Sequence, residues 1–275
     1  MRSALLFLVF VGCGGPTAAS LDAGVQDAGS FAKMGVIDVA AYSYPVGSHT
    51  FSGGSVGASF VDAVTVTGPS CTPIRDGVCT LSLCGPTVDA GAPVLRAAGA
   101  VTVDGLAGGP VTLTPSGAGY APITSAVLLF AAGDAITASA PGDPSGAPAF
   151  QRAVKAPSYV FVSDPPFPGT GPISLERTKD LQIVWSSGTT GTTTATLSGP
   201  DFLLECSVAA TAGKLTVPAS ALGKLPQIVA PGPASFSVTT RTTDLRGAGD
   251  WGVVLRVTAE GARPGGTASA PLLLP

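Results

Sequence analysis

The chain has no asparagine, one histidine (His49), three glutamates (Glu176, Glu205 and Glu260) and two methionines. Charged residues occupy only 11% of its 275 positions, so the surface has to be built largely from Ser, Thr, Ala and Gly. The few basic residues are scattered singly, with no aromatic-interleaved patch, and the formal net charge is −3. That leaves no electrostatic footprint for a phosphate backbone, and nucleic acid is not an expected partner. Past residue 12, no run approaches the roughly 18 to 20 apolar residues of a spanning helix. The folded part is therefore expected to be water-soluble despite a mean hydropathy of +0.45. The 37 glycines and 25 prolines suit many turns and short strands, although part of this bias matches GC-rich coding.

The shortage of catalytic residue types weakens each enzymatic motif. Gly53-Gly54-Ser55-Val56-Gly57 matches the G-x-S-x-G nucleophile elbow, but that motif needs a strand-to-helix turn and a histidine later in the chain, and His49 lies upstream. A Gly-rich loop or strand edge is the better reading. Ser30-Phe31-Ala32-Lys33 matches S-x-x-K without the companion motifs that would give it meaning. The three glutamates form no pair flanked by the aromatic cleft of a glycosidase. No phosphate-cradling loop or dinucleotide fingerprint appears. No catalytic residue, cofactor or metal is expected.

The N-terminus is more informative. Arg2 supplies a positive start, Leu5 to Val11 a short apolar core, and Gly12 a small residue before Cys13, which together read as an export signal. Phe10-Val11-Gly12-Cys13 resembles the lipobox of bacterial lipoproteins, with Phe10 where that family usually carries Leu. The resemblance implies removal of residues 1–12, lipid attachment at Cys13 and, with Gly14 following rather than Asp, forwarding to the outer membrane. Several acyl chains would hold the chain at the membrane permanently. The alternative is cleavage at Thr17-Ala18-Ala19 and a free secreted protein. Residues 13–32 are small and polar with a repeated Asp-Ala-Gly, a flexible tether; Asp22 and Asp27 lack the oxygen-rich spacing of a calcium loop.

From Met34 onward, apolar and polar residues alternate over short stretches bounded by Gly, Pro or Asp, the period of half-buried strands. The pattern predicts strands at 35–43, 58–66, 78–83, 98–103, 111–115, 125–130, 135–140 and 159–162. Others follow at 181–185, 192–197, 203–208, 215–217, 236–242 and 251–257, with one short helical turn at 218–225. The Pro/Gly-rich 165–172 reads as a stiff linker. The expected fold is all-β: two antiparallel β-sandwich domains, 33–164 and 173–275, the second of immunoglobulin-like size but without that family's cysteine pattern.

Without Cys13, four cysteines remain: Cys71, Cys79, Cys84 and Cys206. An even number suits disulfides in an oxidising compartment, and the spacings fit neither a zinc site nor a redox Cys-x-x-Cys. The turn at Asp76-Gly77 suggests Cys71 facing Cys79 across a hairpin, leaving Cys84 for Cys206, though four cysteines allow three connectivities. Trp185, Trp251, Tyr120 and Tyr159 are the candidates for a sugar-stacking platform, with core packing the stronger reading for the two tryptophans, and Thr189 to Thr196 reads as a hairpin with exposed hydroxyls.

These features point to a lipid-anchored cell-surface protein with a structural, adhesive or partner-binding role. It would meet the membrane through Cys13 and other envelope proteins or glycans through its folded part. A carbohydrate-binding module is the second expectation and an envelope hydrolase the third.

Overall fold

Alternation of buried and outward residues in 33–46 and 251–260 is unbroken over eight or more positions. Such strands can hide one face only by pairing side by side and receiving a second layer. The computed structural model, which describes residues 31, 33–62, 71–85, 94–186 and 188–275 except for the side chain of Cys71, shows how they do so. The principal strands are β1 (Lys33–Val46), β2 (His49–Asp62), β3 (Cys71–Asp76), β4 (Cys79–Cys84), β5 (Val101–Asp104), β6 (Val111–Leu113), β7 (Ala135–Gly142), β8 (Pro148–Lys155) and β9 (Val162–Asp164). They continue as β10 (Leu181–Trp185), β11 (Thr192–Ser198), β12 (Phe202–Ala209), β13 (Lys214–Val217), β14 (Ser235–Ala248) and β15 (Trp251–Glu260). Among the described residues helix is confined to single turns, one of them Ala219–Leu222 with Pro218 at its N-cap, where the sequence places it.

One long sheet carries the molecule. Its path runs from Ile123–Ser125 through β2, β1, β15, β14, β11, β12 and β4 to β3. All these pairings are antiparallel except β1 with β15, which is parallel from Lys33↔Trp251 to Ala41↔Ala259. The registers put Phe60, Ile37, Leu255, Val238, Ala195, Leu204 and Leu81 on the same face. That face is covered twice. The sheet β8-β7-β5-β6 closes a core containing Ile37, Phe60, Phe130, Ile136, Trp251 and Leu255. The sheet β9-β10-β13 and the helical turn close a second core containing Leu81, Ile183, Trp185, Leu204, Leu222 and Phe236.

The two sandwich cores therefore do not follow the expected boundary. Strand β4, from the first half, lies in the second core, and β15, from the second half, lies in the first. Nor is 165–172 a free linker: the Phe167 ring stacks on Phe236 at 5.4 Å between centroids. Proline removes backbone donors wherever it occurs, so a Pro-rich segment laid across a core reads in sequence like a linker. Where the cores meet, the face turns polar. Buried Thr193 and Thr240 share a hydroxyl hydrogen bond of 3.1 Å, and Ser158 Oγ accepts from the backbone N–H groups of Thr189 and Thr190. Thr193 and Thr194 are both 0% exposed, contrary to the expected hydroxyl-bearing hairpin surface. The predicted strand at 125–130 is also replaced, by Ile123–Ser125 and an irregular segment, while Pro148–Lys155 forms a strand the pattern did not mark.

The disulfide pairing differs from the expected one as well. Cys79 bonds Cys206, its rung partner across β4 and β12. Cys84 is disulfide-bonded too, and it stands opposite Cys71 in the β3–β4 ladder. The turn explains the change. Gly77, with φ +59, is the first of two loop residues, as in a type II′ hairpin. Asp76 therefore faces Cys79, and Cys71 is left at the far end of the ladder. Cys79 is buried and Cys84 half-buried on the opposite face, the divergence that five-residue spacing on a strand dictates.

Candidate functional site

Even-numbered residues of β1 point away from the cores, and at its far end they are Tyr42 and Tyr44. The parallel ladder to β15 stops at Ala41↔Ala259, while the ladder to β2 continues to Val46↔His49. The last rungs thus form a two-stranded arm reaching past the sheet, closed by a two-residue loop that begins with Gly47 at φ +60. A donor from the short hairpin following β15 steadies its side, where Gly265 N–H bonds the Pro45 carbonyl at 3.0 Å. Residues 45–51 are exposed.

Three aromatic rings line one face of the arm. Tyr42 and Tyr44 lie 5.8 Å apart between centroids with planes 27° from parallel. Tyr44 and its cross-strand partner Phe51 lie 6.1 Å apart with planes 14° from parallel. Phe51 is 52% exposed. Opposite Tyr42 is Gly53, and the absence of a side chain there is what lets the tyrosine lean across. A methyl group at Gly53 would meet the Tyr42 hydroxyl and lie 2.7 Å from its Cζ and 2.9 Å from the Ser125 carbonyl oxygen.

The outward face continuing from the arm is rich in hydroxyls: Ser55 and Ser59 on β2, Thr258 on β15, Ser237, Thr239 and Thr243 on β14, and Thr192, Thr196 and Ser198 on β11. Its charges cancel in pairs. Arg256 binds Asp38 with both ends of its fork, at 2.5 and 2.9 Å, and this carboxylate holds the guanidinium pKa above its ordinary value against the opposing effect of burial. Arg241 reaches Glu205 at 3.4 Å. Glu260 is the exception on these central strands. It comes one position after the last β1–β15 rung, on the face and at the level of Tyr42, and among the described residues no hydrogen bond or ion pair reaches it. Burial alone pushes its pKa above the usual glutamate value.

A raised folded-state pKa means that ionising Glu260 costs folding free energy. Stability tied to this group is fully present below the ordinary value of 4.5 and is lost as pH rises through the elevated one. Glu260→Gln is therefore expected to raise the thermal midpoint at pH 7 and to leave it unchanged near pH 3. A midpoint equal or lower at pH 7 would contradict this.

The residues singled out in the sequence fall elsewhere. Trp185 and Trp251 are buried at 4% and 2%, and the Trp185 indole donates to the Ala210 carbonyl. Tyr120 donates to the Gly99 carbonyl and accepts from the Ala98 N–H, both at 2.7 Å. Tyr159 stacks on Phe130 and donates to its carbonyl. Neither tyrosine offers a free ring platform. Ser55 sits in mid-strand, paired with Ala40 and Thr124, not at a strand-to-helix turn. His49 is exposed at the arm's tip, Glu176 pairs with exposed Lys179, and Cys13, the tether and Ser30 lie outside the described residues. Sequence reasoning missed Tyr42, Tyr44 and Phe51. The signal was Tyr-Ser-Tyr at the end of the first strand, masked because the glycines of 53–57 suit a loop as well as a strand edge and so do not fix its partner.

No protein-family model matches the chain, and no curated protein matches it. Its function has to be read from its own residues.

Proposed function

We propose that the chain is a lipid-anchored protein of the bacterial cell surface, held to the outer membrane through Cys13, whose folded part has a structural, adhesive or partner-binding role. Position carries this reading. The N-terminal segment joins the fold at Lys33, and the aromatic arm lies at the opposite end of β1, roughly 40 Å away at about 3.3 Å per strand residue. A tether of residues 13–32 adds about 25 Å of average reach if it behaves as a flexible coil. An anchor at Cys13 thus leaves the arm at the end remote from the lipid, where partners are met. Recognition on the outlying turns of a rigid β scaffold is the common arrangement. The reading includes no catalytic step.

Two measurements test it. Cys13→Ser is expected to move the protein from the membrane fraction to the soluble one and to abolish incorporation of labelled fatty acid; unchanged membrane association would refute the anchor. In intact cells, Phe51→Cys is expected to react with a membrane-impermeant maleimide. Labelling only after lysis would refute surface display.

A further inference from the structure

We infer that the arm is a binding site for a neutral glycan, with Tyr42, Tyr44 and Phe51 stacking against the apolar faces of successive sugar rings and Glu260 with its neighbouring hydroxyls accepting and donating hydrogen bonds at the sugar edges. This rests on the partner-binding reading above and specifies the partner's chemistry.

Four observations select this ligand. The three rings form a row along one face, with neighbouring planes 27° and 14° from parallel. They do not close around a pocket, and a row suits a linear chain of flat repeating units. The row has a glycine floor at Gly53, so Tyr42 is placed by backbone and not by a packed core side chain. An aromatic ring carries a large apolar face at small entropic cost, and tyrosine adds a polar tip, the mixed surface a sugar ring presents in return.

The polar groups beside the row are the third observation. Glu260 is an acceptor without a partner among the described residues, and the Ser and Thr hydroxyls beyond it both donate and accept. Burial keeps the Glu260 pKa high, so the group gains most from a ligand hydroxyl that replaces lost water. Fourth, the face is electrically self-contained. On the central strands Asp38 with Arg256 and Glu205 with Arg241 neutralise one another, so among the described residues those strands offer no unpaired cation to a sulfated, phosphorylated or nucleic-acid chain, and Arg263 in the flanking hairpin directs its guanidinium to the Thr267 and Pro264 carbonyls. An uncharged polyhydroxylated ligand is the complement of such a surface. A lipid surface would have to bury the Glu260 carboxylate, and the arm lies at the end of β1 opposite the tether.

The other features are less telling. An open cleft of about 250 Å³ at Pro200, Phe202, Pro226 and Ile228 gathers two polar side chains, Asp201 and Gln227, with no sign of what would fill it. The edge strand β3 carries Pro73 and Arg75, which discourage strand addition.

The test is affinity electrophoresis of the full-length lipidated protein in detergent, through gels containing one soluble neutral polysaccharide each: a β-glucan, an α-glucan, a mannan or a galactan. Dextran sulfate serves as the charged probe and an immobilised peptide library as the protein probe. Retardation is expected with at least one neutral polysaccharide. Tyr42→Ala, Tyr44→Ala and Phe51→Ala should each weaken it about tenfold or more, while Phe51→Trp retains it. Half-exposed Phe51 can be truncated without opening a core, and an unchanged thermal midpoint confirms that. Gly53→Ala removes none of the three rings, yet should weaken binding by displacing Tyr42. No retardation by any neutral polysaccharide, retardation unaffected by the ring variants, or ring-dependent capture of dextran sulfate or a peptide instead would each overturn the proposal. If the glycan test fails while Cys13→Ser still releases the protein and Phe51→Cys is still labelled from outside, the ligand class falls and the surface reading stands.

Discussion

Cys79→Ala is expected to cost roughly 5 kcal/mol of stability, the chain-entropy value for a crosslink closing a loop of this length. The two cysteines are 127 residues apart in sequence and adjacent across one rung of β4 and β12. In the unfolded chain the bond removes a very large set of conformations; in the folded one it joins strands that already touch. Its position amplifies the local consequence. The β3–β4 hairpin is held in the long sheet by five rungs to β12, Phe202↔Leu83 to Cys206↔Cys79, and it forms the end of the sheet path. Both cysteines are also packed into the second core, at 1% and 0% exposure, so loss of the bond loosens the packing around Leu81 and Leu204. Urea denaturation with and without reductant should show the loss in wild type, and Cys206→Ala should match Cys79→Ala with no further loss in the double variant. Hydrogen exchange in the alanine variants should rise first in 79–84. A loss below about 1 kcal/mol would show that the hairpin is held by its other contacts alone.

Arg152→Ala is expected to cost about 3 kcal/mol or more, because it removes a buried guanidinium and leaves the buried Val253 carbonyl and three partly buried ones without this donor. Arg152 is 6% exposed, and among the described residues no carboxylate bonds to it. Its Nε donates to the Val253 carbonyl at 3.0 Å, Nη1 to Gln151 at 2.6 Å, and Nη2 to Arg246 at 2.8 Å and Gly247 at 3.2 Å. Its Cζ lies 6.0 Å from the centre of the Phe150 ring. The guanidinium is thus a rivet between β8, in the covering sheet, and the β14–β15 turn region of the long sheet. Burial lowers its pKa from the ordinary arginine value, yet arginine stays protonated in proteins, so all its donors remain available. Lysine keeps the charge without the planar fork. Arg152→Lys should therefore recover only part of the loss, and Arg152→Met, which restores volume but no donor, should remain well below wild type. Equal stability of the Met variant in urea would show that the carbonyls find other donors, and the rivet would then be dispensable.

Much of the strand content could be read along the chain, because the side-chain period of a strand is local. Trp251, Val253, Leu255 and Val257 share a buried face as expected, as do Leu181, Ile183 and Trp185. Reading failed where composition imitated something else. Gly53, Gly54 and Gly57 suit a loop as well as a strand edge; all three are strand positions, and the first two accommodate Tyr42 and Leu129. The prolines of 165–172 look like a linker but lie against a core. The cysteine pairing depended on where a two-residue turn began, and a shift of one position in a hairpin changes every facing pair.

Which side of each strand is dry was decided by the amino-acid sequence, since alternation sorts residues without reference to anything distant. Which strands become neighbours was decided only in three dimensions. The match of 33–41 with 251–259, of Cys79 with Cys206 and of Arg152 with the carbonyls near 246–253 are complementarities between segments a hundred or more residues apart, or nearly so, and no local pattern encodes them. The aromatic arm belongs to this second class. Tyr42 and Tyr44 are ordinary outward positions of a strand until β15 ends at Glu260, level with Tyr42, and leaves Tyr44 beyond its last residue.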